Sequence, residues 1–172
     1  MATTFELIKG ETLTGSQASY TFSAIPSTFS DLCLKWSARC DNASTSLTVY
    51  VTYNSLTSGY SRTMLRGNGA TASSIRGSSE SSFSGFGFSN GDTSTSNTFS
   101  SGEIYIPSYT ASQSKPSSAF TAWEDNATTA FIYADAFLQS STDAITSITL
   151  DPESTNNFKS GSSFYLYGVK NA

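Results

Sequence analysis

Carboxylates are the side chains of this sequence with the most capacity for chemistry. Glu124 and Asp125 are adjacent, Asp151 and Glu153 are separated only by Pro152, and Asp135 and Asp143 stand alone. Two carboxyl groups facing one cleft at roughly 5–10 Å would suffice for glycoside cleavage or a related acid–base reaction. Both close pairs fall in turn-like sequence, where acids are ordinarily solvated or cap the backbone. Asp135 lies in mid-strand between Ala134 and Ala136, where a carboxylate ordinarily faces solvent or pairs with Lys or Arg. The chain has no histidine, so the usual general base of nucleophilic catalysis and the commonest metal ligand are both missing. The expectation is a protein that is not an enzyme and needs no cofactor.

Metal and phosphate chemistry fare no better. Asp41-Asn42 and Asn90-Gly91-Asp92 could offer oxygen ligands to calcium, but neither has the spacing of a calcium loop, and both read as hairpin turns. Gly67-Asn68-Gly69 does not open a helix and is no phosphate loop. Cys33 and Cys40 sit on a stretch where Leu32, Leu34, Trp36, Ala38 and Cys40 alternate with Cys33, Lys35, Ser37 and Arg39. At ~3.3 Å per strand residue the two sulfurs stand roughly 23 Å apart on opposite faces, far beyond the ~7 Å Cα separation a disulfide permits. Two free thiols are expected, with Cys40 in the core.

Aromatic side chains are the remaining candidates for a site. Trp123 stands beside Glu124, Asp125 and Asn126, and Tyr105 stands near Tyr109 across Pro107-Ser108, combinations that could stack on and hydrogen-bond a host glycan. For Trp123, packing in a core or an interface is the favoured role. Phe83, Phe86 and Phe88 punctuate a Ser/Gly-rich stretch. Each is costly to leave in water, by roughly 1.5–3 kcal/mol relative to full burial, so they either form a small core beneath that stretch or meet a partner. These six aromatics are the candidate partner-binding residues.

The elements that would position them are strands. Alternation recurs at 3–8, 20–24, 32–40, 47–53, 60–66, 103–106, 119–123, 129–138, 144–150 and 163–169, rich in Thr, Tyr, Phe, Ile and Val and separated by Ser, Asn, Asp and Gly. Segment 60–66 reads as the hairpin partner of 47–53, and 129–138 reads as a strand rather than a helix. About nine or ten strands without βαβ spacing predict one all-β domain over 1–172, an antiparallel sandwich of jelly-roll type. Residues 67–97 break the rhythm and are expected to form one long loop.

Ser and Thr account for 58 of the 172 residues, while charged residues are 13%. Thr suits the solvent face of a strand and Ser suits turns. Few charges with many aromatics argue against disorder. A polar, nearly uncharged surface also suits a protein that packs beside copies of itself. Nine basic residues against 13 acidic ones give −4, and no basic cluster is present to neutralise a phosphate backbone, so nucleic acid is not an expected partner. No stretch approaches the ~20 apolar residues of a membrane span and no signal-like segment opens the chain; a membrane is not an expected partner, and synthesis in a cytoplasm is the expectation.

Several segments resemble small β-sandwich virion proteins of tailed phages, particularly phages of marine cyanobacteria. They are Thr12-Leu13-Thr14-Gly15-Ser16-Gln17-Ala18, Ile25-Pro26-Ser27-Thr28-Phe29-Ser30-Asp31-Leu32, Gly102-Glu103-Ile104-Tyr105-Ile106-Pro107, Ala144-Ile145-Thr146-Ser147-Ile148-Thr149-Leu150 and Phe164-Tyr165-Leu166-Tyr167-Gly168-Val169-Lys170. The resemblance implies a structural protein on the virion exterior, assembled in the host cytoplasm. Capsid decoration or cementing is the favoured role and a tail or fibre module that binds host glycan is the alternative. The implied partners are the major capsid protein or other virion proteins, and further copies of the chain itself. A trimer would match pseudo-threefold positions on a shell. The family carries no catalytic motif to transfer.

Overall fold

The structure is a computed structural model that describes residues 4–126 and 128–170, apart from the side chains of 85–87. Twelve strands are present among the described residues: β1 (Phe5–Thr12), β2 (Tyr20–Phe22), β3 (Asp31–Ala38), β4 (Ser46–Tyr53), β5 (Tyr60–Gly67), β6 (Ala72–Glu80), β7 (Phe83–Asn90), β8 (Ser100–Ile106), β9 (Lys115–Glu124), β10 (Ala130–Gln139), β11 (Ile148–Pro152) and β12 (Ser163–Val169). They form an eight-stranded sheet in the order β1-β12-β3-β8-β9-β10-β5-β6 and a four-stranded sheet in the order β2-β11-β4-β7. All ladders are antiparallel.

The pairings β1·β12, β2·β11, β3·β8 and β4·β7 show how this arrangement arises. They are the rungs of one long antiparallel ribbon, folded so that successive rungs fall alternately in the two sheets. That is the jelly roll, the architecture expected from the sequence. Two hairpins interrupt the ribbon. β5–β6 lies between β4 and β7, and β9–β10 lies between β8 and β11. Both join the same sheet beyond β8 and are zipped together by β10·β5, from Ile132↔Gly67 to Gln139↔Tyr60. One sheet is therefore extended by four strands that the other does not match.

Alternation decides which side chains enter the space between the sheets. Leu32, Leu34, Trp36 and Ala38 of β3, Ile104 and Ile106 of β8, and Phe164 and Leu166 of β12 meet Val49, Val51 and Tyr53 of β4 and Ile148 and Leu150 of β11. Cys40 is in this core, Cys33 is also buried, and both are free thiols. The indole of Trp36 lies flat against Gly102, its partner on β8, so that a Cβ built there would stand 1.9 Å from Trp36 Cζ2.

Two expectations need correction. Segment 60–66 does not pair with 47–53: Asn54 and Ser55 take left-handed backbone angles (φ 51° and 56°) and turn the chain out of the small sheet. Nor is 67–97 one long loop, since most of it forms β6 and β7. β6 holds its place as an edge strand mainly through its ladder with β5, a non-local pairing that Ser and Gly content hides. β7 is anchored by phenylalanines on opposite sides, Phe83 registered opposite Val51 and Phe88 opposite Thr48, with a register shift between them. Such a shift reads as broken periodicity in sequence.

Gly102→Ala forces the Trp36 ring or the β3·β8 ladder to move. The expected cost is about 1–3 kcal/mol, a fall in Tm on the order of 2–4 °C per kcal/mol, measured by thermal unfolding. An unchanged Tm would show that the ring relocates freely.

Candidate functional site

Of the candidate carboxylates, Glu124 is tied into the connection between β7 and β8. Glu124 accepts hydrogen bonds from Asn90 Nδ2, Thr98 Oγ1, the Thr95 amide and hydroxyl, and the Asn126 amide. Partial burial works to raise its pKa, but the bonds from Thr98, Asn126 and Thr95 outweigh that and hold it below the usual carboxylate range. The same connection, between β7 and β8, is gripped from the other side by Arg39. Its guanidinium donates to the carbonyls of Thr95, Thr98, Asp92 and Ser94 at 2.8–3.3 Å. Strand alternation would leave Arg39 on a solvent face, yet it is buried. Asp41 Oδ1 and Oδ2 accept from the amide and side chain of Asn157, and Asp92 pairs with Lys159. Among the described residues no group of three or more Cys, Asp or Glu side chains gathers as a metal site would require.

The aromatic candidates separate into distinct roles. Phe83 is fully buried, packed edge-on against Tyr53 and Tyr60 and tilted against Phe137, so it is a core residue and not a contact for a partner. Tyr109 is likewise fully buried, with its hydroxyl donating to the Pro26 carbonyl. It cannot form an exposed sugar-stacking pair with Tyr105, whose hydroxyl donates to Asp31 Oδ2 at 2.5 Å. The backbone of Phe86 belongs to β7, and its side chain lies outside the described residues. Trp123 is sandwiched between Phe88 (centroids 4.7 Å apart, 17° between planes) and Phe131 (4.8 Å, 8°). Tyr133 meets it edge-on. A sugar stacks on an open ring face, and both faces of this indole are occupied. Trp123 is the middle of a second, smaller core that also takes in Met64 and Ile75.

What remains open is the far side of the sheet extension. Directly paired residues share a face, which puts Pro116, Ser118, Phe120 and Ala122 of β9 beside Ile132, Ala134, Ala136 and Leu138 of β10. Next to them lie Ser61, Thr63, Leu65 and Gly67 of β5, then Ala72, Ser74 and Arg76 of β6. Leu65, Phe120, Ile132 and Leu138 are 59%, 58%, 56% and 41% exposed, although each would gain by burial. On these four strands that face carries two charges, Arg76 and, at the end of β9, Glu124. On the adjoining strands Lys35 and Glu103 neutralise each other. A group of large apolar side chains exposed together on one face is the most apolar feature of the extension's surface and makes this face the candidate contact site. None of its large side chains was singled out in the sequence, although alternation within 119–123 and 129–138 would have placed Phe120, Ile132 and Leu138 opposite the core.

No family model, curated protein or solved structure matches the chain.

Asp135 occupies the opposite, core-side face of the same extension. It sits between Tyr133 and Phe137 along β10 and is paired with Met64 of β5 and Ala119 of β9. It neither faces solvent nor makes a salt bridge: it is 6% exposed, and neither carboxyl oxygen has a hydrogen-bond partner among the described residues. Burial pushes its pKa up from 3.8 to about 7, against the opposing pull of Arg62. Arg62 is itself engaged by Glu80 Oε1 at 3.2 Å and by the Ser84 carbonyl.

The folded state thus keeps a proton on Asp135 that the unfolded chain releases near pH 4. The associated stability is fully present below that pH and is lost as pH rises through about 7. The loss is up to roughly 4 kcal/mol. Urea unfolding of the wild type and of Asp135→Asn at pH 4, 6 and 8 should show the variant gaining on the wild type as pH rises. A difference that does not vary with pH would mean that Asp135 ionises without cost in the fold.

Proposed function

We propose that this chain is a non-enzymatic structural protein on the exterior of a tailed-phage particle. In this reading it decorates or cements the capsid by laying the outer face of its extended sheet against the major capsid protein. The observation that carries the reading is the apolar, nearly uncharged surface formed by Leu65, Phe120, Ile132 and Leu138. Such a face gains by burial, and it has few charges to desolvate, Arg76 and, at its edge, Glu124. The segments resembling phage virion proteins lie along the jelly-roll frame, from the end of β1 through β3, β8, β11 and β12, and outside both inserted hairpins. The frame carries the resemblance, and the added strands carry the candidate contact face.

The mechanism is repetition. A shell offers many copies of one docking position, so a modest contact per subunit becomes lasting occupancy when copies also touch one another, as a trimer on pseudo-threefold positions would. The chain's low charge limits repulsion between such neighbours.

Purified protein should bind particles lacking it and raise their resistance to heat. Ile132→Asp and Leu65→Asp should each weaken binding by about tenfold or more, since each buries an unpaired charge in the contact. Both positions face solvent in the free protein, so thermal unfolding of the variants should match the wild type. Absence of wild-type binding to such particles, or full binding by both variants, would overturn the reading.

A further inference from the structure

The core-side face of the extension holds a second surface of different chemistry. Beyond the Phe88–Trp123–Phe131 stack lies a hollow of about 220 Å³ lined by Phe131, Tyr133, Arg66, Asn68, Thr71 and Ser73. Phe131 is the outermost ring of the stack. One face covers Trp123, and the ring forms part of the hollow's wall. Tyr133, edge-on to both Trp123 and Phe88, is held rigidly beside it. The hollow therefore offers a fixed aromatic wall that costs little conformational entropy to use.

Its polar groups are also fixed. Arg66 Nε donates to Ser73 Oγ at 2.7 Å, which orients the guanidinium. Among the described residues Arg66 makes no ion pair, whereas Arg62, four residues earlier on the same face, is paired with Glu80. Asn68 Oδ1 accepts from the amides of Ala70 and Thr71 and from the Thr71 hydroxyl, which leaves its NH₂ group as a donor. A second hollow of about 280 Å³ adjoins the first, sharing Arg66 and Tyr133 and continuing past Tyr50, Thr48 and Phe88.

An aromatic wall, hydroxyl and amide groups and an unpaired guanidinium together describe the needs of one ligand class. A sugar ring presents an apolar C–H face to an aromatic and hydroxyls to small polar side chains, and a ring carboxylate is met bidentately by Arg. Each hollow is smaller than the roughly 300–1,000 Å³ of drug-sized sites, so each suits one ring. Two in succession suit neighbouring units of a chain. We propose that this trough binds an acidic polysaccharide, with one uronic-acid-type unit against Phe131 and its carboxylate on Arg66. The chain carries −4 overall, so attraction to a polyanion has to come from a local site and not from general charge. The site lies on the opposite side of the extension from the capsid-facing surface, and the two proposals stand independently.

Affinity electrophoresis tests it with polygalacturonate, dextran and dextran sulfate as probes. Polygalacturonate should retard the wild type, dextran should retard it little, and dextran sulfate should not exceed polygalacturonate. Arg66→Gln, at an exposed position where folding is safe, should weaken polygalacturonate binding by about tenfold, with partial recovery in Arg66→Lys. Phe131→Ala should also weaken it, with thermal unfolding run alongside to show that the stack survives. Ile132→Asp, on the reverse face, should bind polygalacturonate as the wild type does. The proposal is overturned if polygalacturonate fails to retard the wild type, if Arg66→Gln binds normally, or if dextran sulfate binds as well and is indifferent to Phe131→Ala.

Discussion

Everything distinctive about this molecule follows from a mismatch in the number of strands. A sheet is stable when its apolar face is covered, and here eight strands are set against four. Over the jelly-roll frame the two sheets match, and Leu32, Leu34, Trp36 and Ile104 meet Val49, Val51 and Ile148 in an ordinary sandwich core. Beyond β8 the large sheet has no equal partner. The inserted strands must find cover for one face and live with exposure of the other.

The solution to the first problem is β7. Its Phe83 completes the main core while Phe88, on the other side of the strand, supplies the first ring of the stack with Trp123 and Phe131. One edge strand thus serves two cores, because Phe83 and Phe88 stand an odd number of residues apart and strand alternation sends them to opposite faces. The cover is incomplete. Asp135 lies buried without a hydrogen-bond partner among the described residues, and two polar hollows open beside the stack. The outer face of the same strands has no cover among the described residues.

Local pattern carried much of this into view. Alternation marked β3, β4 and β12, which line the core with every second side chain, and the Thr-Thr start and flanking turn residues marked β10. The jelly-roll class followed from strand number and spacing. Which strands would pair did not follow, since β5 joins β10 across a gap in sequence that only the folded molecule closes. The Ser/Gly-rich run hid β6 and β7 because a ladder hydrogen bond is indifferent to side-chain type. Trp123 was legible as a packing residue, but the rings that surround it were not, since they come from strands distant in sequence. Arg39 was illegible for a related reason: its partners are backbone carbonyls, which every residue possesses.

The ribbon itself has a consequence in time. Each rung joins distant parts of the chain, and in β1·β12 a hydrogen bond spans 153 residues between Thr12 and Tyr165. Closing such loops gives little reward until late, and folds built from them are slow to form. During synthesis β1 to β4 have no ribbon partners until β7 to β12 emerge, so the frame closes only once its last strand is free. Until that closure the main core is incomplete while Phe120, Ile132 and Leu65 are already exposed, and in the role proposed above assembly is what would cover them.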